Sequence, residues 1–378
     1  ADNSDCDDDH DDVNSSETEV CDDNNTDEDC DGKADDDDPG TNTVGMYTYY
    51  PDDDGDGFGD EASTGNLQCD GDSSYVVTDN SDCDDSDDDV RPDAEEIYCD
   101  GKVQQCGGAD GDVTVSGTDL QAGIDSAPSG GVVCVEAGQY YGLITIIQPV
   151  TVVGIDGDDS TTIVGDGTDR VILISGAPNT SLIGFTIETG EIDGDGGGVL
   201  IENANSTVIK ECTITENVAT QGGGIAINDS SGVQILDSEI SANEAENGGG
   251  IAILETAIEV TVDGNNITDN SASQDGGGIF VNESVDATIT DNVISGNTAA
   301  GENGTSGWPG YGGGMEVWTA SGSVIIDNTI FENYAWYGGG LDLYANTNIT
   351  VEDNEISLNT AYSGGGISVI DSASSNLG

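Results

Sequence analysis

Seven Gly-Gly-Gly triplets recur at nearly constant spacing along the second half of the chain. Successive triplets begin 26, 26, 28, 36, 26 and 26 residues apart. Their first residues are Gly196, Gly222, Gly248, Gly276, Gly312, Gly338 and Gly364. A fixed period of this length is typical of stacked, equivalent structural units. The spacing therefore restricts this region to a repeat architecture.

Each period contains three short segments that alternate apolar with small or polar residues. The triplet opens a short strand, as in Gly-Ile-Ala-Ile at Gly224 to Ile227 and Gly250 to Ile253, which is followed by Val-x-Ile and then by Ile-x-x-Asn, as in Ile240 and Asn243. Three such segments per period predict one coil of a parallel β-helix, with inward rows of Ile and Val. The Asn column comprises Asn217, Asn243, Asn270, Asn297, Asn333 and Asn359. We expect these amides to stack in a turn, although they could instead bind sugar.

Residues 118–127 precede the coils and are predicted to form a short amphipathic helix capped by Thr118 or Asp119. The helix and the following Gly-Gly-Val-Val-Cys-Val-Glu-Ala-Gly-Gln-Tyr resemble the N-terminal cap of right-handed β-helix proteins of the pectate-lyase-like superfamily. The GGG-I and I-x-x-N columns resemble those of polymorphic outer-membrane proteins and secreted adhesins. The resemblance implies an all-β, right-handed parallel β-helix over 111–378. Because the last coil lacks a capping element, we expect the chain to be truncated or to abut another chain.

The charge of the chain is extreme, with 77 acidic and 5 basic residues and a net charge of −72. Such self-repulsion opposes compaction unless cations or salt offset it. It excludes nucleic acid and anionic membranes as partners, and no run of residues is apolar enough to span a membrane. In the β-helix region the acids occupy outward positions, as expected of a solvated surface.

The first 110 residues contain two copies of an Asp- and Cys-rich pattern. Asp5-Cys6-Asp7-Asp8 matches Asp82-Cys83-Asp84-Asp85, and each is followed by two further cysteines. Between the copies, residues 52–60 place Asp at alternate positions beside Gly, the spacing with which a loop surrounds a hard cation. An EF-hand would have Glu at the twelfth position, where Ser63 stands. The loop is therefore closer to a thrombospondin type 3 or dockerin-like half-site.

Together these features resemble the Asp-rich metal-binding modules of secreted bacterial proteins. The resemblance covers residues 1 to about 108 and implies several bound Ca²⁺ ions. The implied ligands are Asp52, Asp54, Asp56, Asp60, Asp7, Asp8, Asp84, Asp85, Asp22, Asp100, Asp27 and Asp29. In the second copy Val103-Gln104-Gln105 replaces the acids of the first, which argues against a cation there. The alternative is a disordered acidic tail, which the paired cysteines disfavour.

Nine cysteines indicate an oxidising, secreted or cell-surface setting. We expect the local disulfides Cys21–Cys30, Cys69–Cys83 and Cys99–Cys106. Cys134 and Cys212, which lie within the β-helix region, are predicted to be buried thiols.

The β-helix region lacks an obvious catalytic set. It contains only Arg170 and Lys210 as basic residues, on different coils, and no His. This composition disfavours a polysaccharide lyase, because the polysaccharide lyases with this fold resemble one another in using an Arg or Lys side chain as the base. An aromatic cluster in the last periods could form a sugar platform or a subunit contact, or could be hidden by its own loop. Its candidate residues are Trp308, Tyr311, Trp318 and Trp336.

The sequence thus predicts a secreted, calcium-binding β-helix that serves as a structural or adhesive element, including as a repeating subunit of a fibre or surface layer. Self-association is expected. The alternative is a protein that binds or degrades polysaccharides.

Overall fold

The computed structural model describes residues 6, 10–22, 26–254, 256–301, 309–372 and 376–377. The chain divides into two compact units, Ala1–Asp110 and Gly111–Gly378. Each unit has its own architecture. No helix in the described ranges is long and apolar enough to cross a membrane.

The second unit is a parallel β-helix built from four sheets that run along its length. Sheet A contains Val113–Val115, Gly131–Val135, Val150–Gly154, Ser181–Ile183, Val208–Lys210, Gln234–Leu236, Thr261–Asp263, Thr288–Thr290, Val324–Ile326, Thr350–Glu352 and Asn376–Leu377. Sheet B contains Gly138–Tyr141, Thr161–Val164, Thr186–Glu188, Thr213–Thr215, Glu239–Ser241, Asn266–Thr268, Val293–Ser295, Thr329–Phe331 and Glu355–Ser357. Sheet C contains Ile144–Ile146, Ile172–Ser175, Val199–Glu202, Ile225–Asn228, Ile251–Ile253, Ile279–Asn282, Met315–Trp318, Leu341–Tyr344 and Ile367–Ile370. Sheet D contains Glu244–Asn247, Ser271–Asp275, Thr298–Ala299, Tyr334–Tyr337 and Thr360–Ser363.

The five coils that begin at Ile225, Ile251, Ile279, Met315 and Leu341 visit the sheets in the order C, A, B, D and then turn through a glycine triplet into the next strand of sheet C, whereas the earlier coils have no sheet D strand. The three predicted segments correspond to sheets C, A and B, so the predicted fold is confirmed. Sheet D was not predicted, because each of its strands carries only a single inward alanine, as at Ala245 and Ala272, and no row of Ile or Val.

The core is a continuous apolar column because the same positions of successive coils lie in register. In sheet B, for example, Ile240 pairs with Ile214 and Ile267, and all three are fully buried. Parallel strands lie about 4.8 Å apart, so each inward side chain packs on its equivalents above and below. Burial of these rows supplies the main free energy of folding of this unit.

The triplet is needed because the corner between sheets D and C leaves no room for side chains. Gly222 has a φ of +63°, and a Cβ on Gly223 would lie 2.5 Å from the Glu244 carbonyl oxygen. Left-handed backbone is inexpensive only for glycine. Each coil can therefore turn tightly at this corner and still stack on the next.

The predicted Asn stack is present, and its members are buried except for Asn359, which is half-buried. Asn270 Nδ2 donates to Asn297 Oδ1 at 3.0 Å and to the Ile240 carbonyl at 2.8 Å, while its own Oδ1 accepts from the Asn243 backbone N–H at 3.0 Å. A second ladder lies at the corner between sheets A and B and was not predicted. It consists of Ser238, Asn265, Asn292, Asn328 and Asn354. Because the first ladder is buried, its amides hold the coils together and are not available to bind sugar.

An α-helix, Leu120–Ser126, lies at the start of the β-helix and is the one α-helix among the described residues. Asp119 caps it by accepting a hydrogen bond from the Ala122 N–H at 3.0 Å. Leu120 and Ile124 face the core of the first coils and are buried.

The first unit is rich in loops. Its regular elements are a 3₁₀ helix at Asp35–Asp37 and an antiparallel pair formed by Tyr47–Tyr49 and Asn66–Gln68. Hydrogen bonds from backbone N–H groups to Asp and Glu carboxylates take the place of most sheet contacts. An example is Cys69 N–H, which donates to Asp36 Oδ1 at 2.8 Å.

Candidate metal centre and an aromatic groove

The loop at residues 52–60 is organised by its own carboxylates. Asp52 Oδ1 accepts a hydrogen bond from Gly55 N–H at 2.7 Å, and Asp56 Oδ1 accepts one from Phe58 N–H at 2.8 Å. Asp52 uses both oxygens to fix the loop, since its Oδ2 accepts from Gly57 N–H at 3.2 Å, whereas Asp54 and Asp56 each use one. The other oxygens of Asp54 and Asp56 are buried without a hydrogen-bond partner.

The segment Asp82 to Asp85 lies against this loop and completes the cluster. Asp53 N–H donates to Asp85 Oδ1 at 2.9 Å, and Glu61 N–H donates to the Asp82 carbonyl at 2.8 Å. Carboxylate oxygens of Asp52, Asp54 and Asp85 all lie within 4.8 Å of one another. Asp82 is fully buried, and its Oδ2 has no hydrogen-bond partner. Two predicted ligand groups that are distant in sequence therefore form one centre.

The electrostatics of the cluster favour a bound cation. The pKa of Asp54 is raised, first by burial and then by repulsion from Asp56 and Asp52. Burial also raises the pKa of Asp82 and of Asp85, and neighbouring carboxylates add to both shifts. Orphaned, mutually repelling carboxylate oxygens are what a hard divalent cation such as Ca²⁺ coordinates. The residues therefore fit the predicted ion, and Asp82 is a ligand candidate that the sequence motif did not reveal.

The first copy contains a second acidic cluster. Carboxylate oxygens of Glu19, Asp27 and Asp29 lie within 4.8 Å of one another, and Glu19 is only 1% exposed. Glu19 Oε2 also accepts a hydrogen bond from Glu28 N–H at 3.1 Å. Asp22 is satisfied locally, because its carboxylate accepts hydrogen bonds from Thr26. Asp7 and Asp8 lie outside the described residues.

The second copy keeps the framework of the first but lacks its acids. Glu96 Oε2 accepts hydrogen bonds from Gln104 N–H at 3.0 Å and Gln105 N–H at 2.8 Å, as Glu19 does in the first copy. Gln104 Nε2 donates to Asp100 Oδ2 at 2.7 Å, so an amide engages the carboxylate that a cation would neutralise. Asp84 is exposed and accepts a hydrogen bond from Ser86 at 2.6 Å. Glu19 and Glu96 are functional candidates that the sequence analysis missed. The signal that could have found them is a Glu shortly before the second Cys of each copy.

All three predicted disulfides are wrong. The observed pairs include Cys6–Cys30, Cys21–Cys69 and Cys83–Cys106, and Cys99 is disulfide-bonded as well. In each copy the first Cys bonds the third, so Cys21 and Cys99 are not bonded to their nearest neighbours in sequence, Cys30 and Cys106. The prediction paired cysteines that are close in sequence, but between Cys21 and Cys30 the chain brings Asp27 and Asp29 beside Glu19.

The two cysteines of the β-helix unit behave differently. Cys134 is disulfide-bonded, so the prediction of a buried thiol is wrong for this residue. Cys212 is a free, buried thiol, and burial raises its pKa to about 12. Its thiol is therefore protonated and unreactive.

A groove runs along the outside of the β-helix where the glycine corner folds sheet D towards sheet C. Two cavities of about 370 and 260 Å³ lie along it, and Trp318 lines both. The ring of Trp318 lies 6.4 Å from that of Phe280 and 6.3 Å from that of Tyr344, which forms an aromatic row across three coils. Tyr311 also lines the groove and stacks on Tyr337 at 5.1 Å.

The remaining aromatic candidates lie elsewhere. Trp336 is 44% exposed and contacts Tyr362, with ring centroids 5.9 Å apart, but it does not line either cavity. Trp308 lies outside the described residues. Trp318 is 40% exposed, so the groove face of this aromatic row is accessible to a ligand.

A family model described as the right-handed β-helix region matches residues 156–276 and 268–377, which together make up more than half of the chain. The chain belongs to the right-handed β-helix family. This β-helix protein also resembles solved structures at low sequence identity. Pectate lyase Pel9A is 15% identical with a TM-score of 0.46, and the match covers 68% of this chain and 73% of that one.

Two further solved structures are similar to this β-helix at low sequence identity. An alginate lyase from Paenibacillus sp. str. FPU-7 is 13% identical with a TM-score of 0.43, over 70% of this chain and 99% of that one. PfbA, a surface adhesin of Streptococcus pneumoniae, is 15% identical with a TM-score of 0.32, over 65% of this chain and 76% of that one. These likenesses concern the fold alone. A search of curated proteins returned no significant match.

Proposed function

We propose that this protein is a secreted, calcium-binding β-helix that serves as a structural or adhesive element of a cell surface or fibre. The observation that carries the proposal is the cluster of buried, unpartnered carboxylate oxygens around Asp54, Asp56 and Asp82. Their mutual repulsion is relieved when a divalent cation is bound. The disulfides support an oxidising compartment outside the cytoplasm.

Calcium binding is tested by titration calorimetry and metal analysis of the purified chain. We expect stoichiometric Ca²⁺, and we expect affinity to fall when Asp54 or Asp56 is replaced. Assembly is tested separately by electron microscopy. Particles that lengthen with Ca²⁺ and disassemble in chelator support the fibre role, and particles indifferent to both contradict it.

We further propose that the groove binds glycans, because an aromatic row beside polar side chains is suited to stack on the apolar face of a sugar ring. The test compares Trp318→Ala with Trp336→Ala in retention on immobilised polysaccharides. Both variants remove an exposed Trp from the same region, but only Trp318 lines the groove. We expect retention to be lost for Trp318→Ala alone, and equal retention by both variants contradicts glycan binding in the groove.

A further inference from the structure

The smaller of the two cavities in the groove has walls that combine carboxyl groups with aromatic rings. This cavity of about 260 Å³ is lined by Asp275, Tyr311, Glu316, Trp318, Tyr344 and Ile370. Glu316 is the second residue of a sheet C strand, and Asp275 ends a sheet D strand at the glycine corner. In register with Glu316, two other coils carry Ala226 and Ala252. The fold therefore does not require an acid at this position.

Glu316 is buried against the cavity with one oxygen unsatisfied. The residue is 4% exposed, and its Oε2 has no hydrogen-bond partner among the described residues. Its carboxyl group lies beside that of Asp275, with which it shares a hydrogen bond. Asp342, its neighbour in register on the next coil, is fully buried outside the cavity and repels Glu316. Burying an unpartnered carboxyl group opposes folding, so a ligand that donates a hydrogen bond to this oxygen relieves a cost.

The composition of the walls favours an organic ammonium group over a metal ion. Only two of the six lining residues are acids, whereas Ca²⁺ takes about six to eight oxygen ligands. Tyr and Trp rings attract ammonium groups through the negative faces of their π systems, and ammonium N–H groups donate strong hydrogen bonds to carboxylates. None of the described residues that line the cavity is basic. The acids therefore lack a counter-charge that an ammonium group supplies.

The adjoining cavity of about 370 Å³ has the chemistry expected for a neighbouring sugar unit. It shares Trp318 with the first cavity and is also lined by Gln221 and Asn247. Gln221 Oε1 and Asn247 Oδ1 are buried without a hydrogen-bond partner among the described residues, and sugar hydroxyls can donate to such oxygens. Gln221, Asn247 and Asp275 lie in register on consecutive coils, which are spaced about 4.8 Å apart. A linear glycan along the groove can therefore reach both cavities.

We propose that the acidic, aromatic cavity binds the ammonium group of an amino sugar, an inference that rests on glycan binding in the groove. The ammonium N–H groups donate hydrogen bonds to Glu316 and Asp275, and the aromatic walls enclose the cation. Hydroxyl groups of the next sugar unit donate to the amides of the adjoining cavity. N-acetylation removes the positive charge and the ammonium donors, so an acetylated glycan lacks this recognition.

The first test compares oligomers of β-1,4-linked glucosamine with N-acetylglucosamine oligomers of the same length, by calorimetry with the full chain and Ca²⁺ present. Salt at about 0.5 M screens the general attraction of a polycation to a chain of net charge −72. We expect the glucosamine oligomers to bind about tenfold more tightly or more. Glu316→Gln should lose this preference, whereas Glu355→Gln, which removes an exposed acid from sheet B, should keep it. Circular dichroism checks that each variant is folded.

The second test separates the cation from the rest of the sugar. Cyclohexylammonium and cyclohexanol have rings of pyranose size and differ in charge. We expect only cyclohexylammonium to bind, and we expect Trp318→Ala to weaken it about tenfold. Trp336→Ala is the matched control, because Trp336 lines neither cavity.

The pH dependence of cyclohexylammonium binding identifies the carboxyl group involved. This amine stays charged below about pH 8, so the dependence comes from the protein. Burial raises the pKa of Asp275 to about 6, so affinity should rise as pH passes through 6, whereas exposed acids would give a rise near pH 4. The titratable groups around Asp275 are Glu316, Asp342, Tyr311 and Tyr337. Glu246, on the adjacent strand, contacts Gln274 instead.

Equal affinity for the glucosamine and N-acetylglucosamine oligomers would overturn the inference and leave glycan binding intact. Retention on no polysaccharide would overturn both. Binding of cyclohexylammonium without a preference for glucosamine oligomers would indicate an amine-bearing partner other than a glycan and overturn the assignment. Displacement of cyclohexylammonium by Ca²⁺ at constant ionic strength would show a metal site and overturn the inference as well.

Discussion

At the scale of single residues, buried Asn side-chain amides form hydrogen bonds between neighbouring coils of the β-helix. Every ladder Asn follows a residue with left-handed backbone, as Asn270 follows Asp269 with a φ of +55°. This turn directs the amide inward, where it bonds the coils on both sides. The Ile-x-x-Asn spacing revealed one ladder. The second ladder has the same spacing, since Ile289 precedes Asn292 and Ile325 precedes Asn328. The acidic residues around these positions make the pattern harder to recognise.

The ladder should contribute measurably to stability. Asn270→Ala removes hydrogen bonds to two neighbouring Asn residues and to the Ile240 carbonyl, and leaves buried polar groups unpaired. We expect the free energy of unfolding to fall by roughly 3 kcal/mol, measured by denaturant unfolding. Asn266→Ala is the matched control, because Asn266 is exposed on the same coil. Equal losses in the two variants would contradict a role for the ladder.

Asp342 should make the stability of the β-helix depend on pH. Its pKa rises from 3.8 to about 6 on burial, so folding favours the protonated acid. The contribution is present in full below about pH 4 and is lost as pH rises through about 6, a change of roughly 3 kcal/mol. Asp342→Asn should therefore raise the free energy of unfolding, relative to that of the unmodified protein, by more at pH 7 than at pH 4. The exposed Asp353→Asn should leave the pH dependence unchanged, and an unchanged dependence in Asp342→Asn would refute the assignment.

Among the elements, the acidic loop at residues 52–60 shows what local spacing can predict. Alternating Asp residues indicate which side chains of this loop converge, because they lie within one short segment, and their role as Ca²⁺ ligands stays a prediction. Asp82 and Asp85 join the same cluster from about 30 residues away, through contacts such as Asp53 N–H to Asp85 Oδ1. Spacing carries no information about such contacts. The disulfides were wrong for the same reason, because pairing depends on where the acidic loops place the chain.

The loop should lose affinity for Ca²⁺ when a converging carboxylate is removed. Asp54→Asn replaces a buried carboxylate oxygen with a neutral amide and should weaken binding about tenfold or more, equivalent to about 1.4 kcal/mol. Asp53→Asn is the matched control, since Asp53 is exposed in the same loop. Titration calorimetry at constant ionic strength measures both. Equal affinity of the two variants would exclude Asp54 from the site.

At the scale of the whole molecule, repetition explains what the sequence could and could not predict. Columns that recur in every coil, such as the glycine triplet, are visible in sequence and determine the core and the corners. Glu316 and Asp342 depart from the column that Ala226, Ala252 and Phe280 occupy, so no repeating pattern indicates that these two acids are buried. A fold built from repeats is therefore easier to predict than a site built on departures from the repeat.

The two units should also differ in how their stability depends on cations. In the first unit, carboxylates replace an apolar core, whereas rows of Ile and Val stabilise the β-helix. Hydrogen-exchange mass spectrometry with Ca²⁺ and with chelator, at matched ionic strength, should show lost protection in peptides covering residues 50–90. Peptides from sheets A and B should be unchanged, because apolar burial does not require cations. If protection falls instead around Glu316 and Asp342, the groove holds a cation; if it falls nowhere, calcium does not stabilise the first unit.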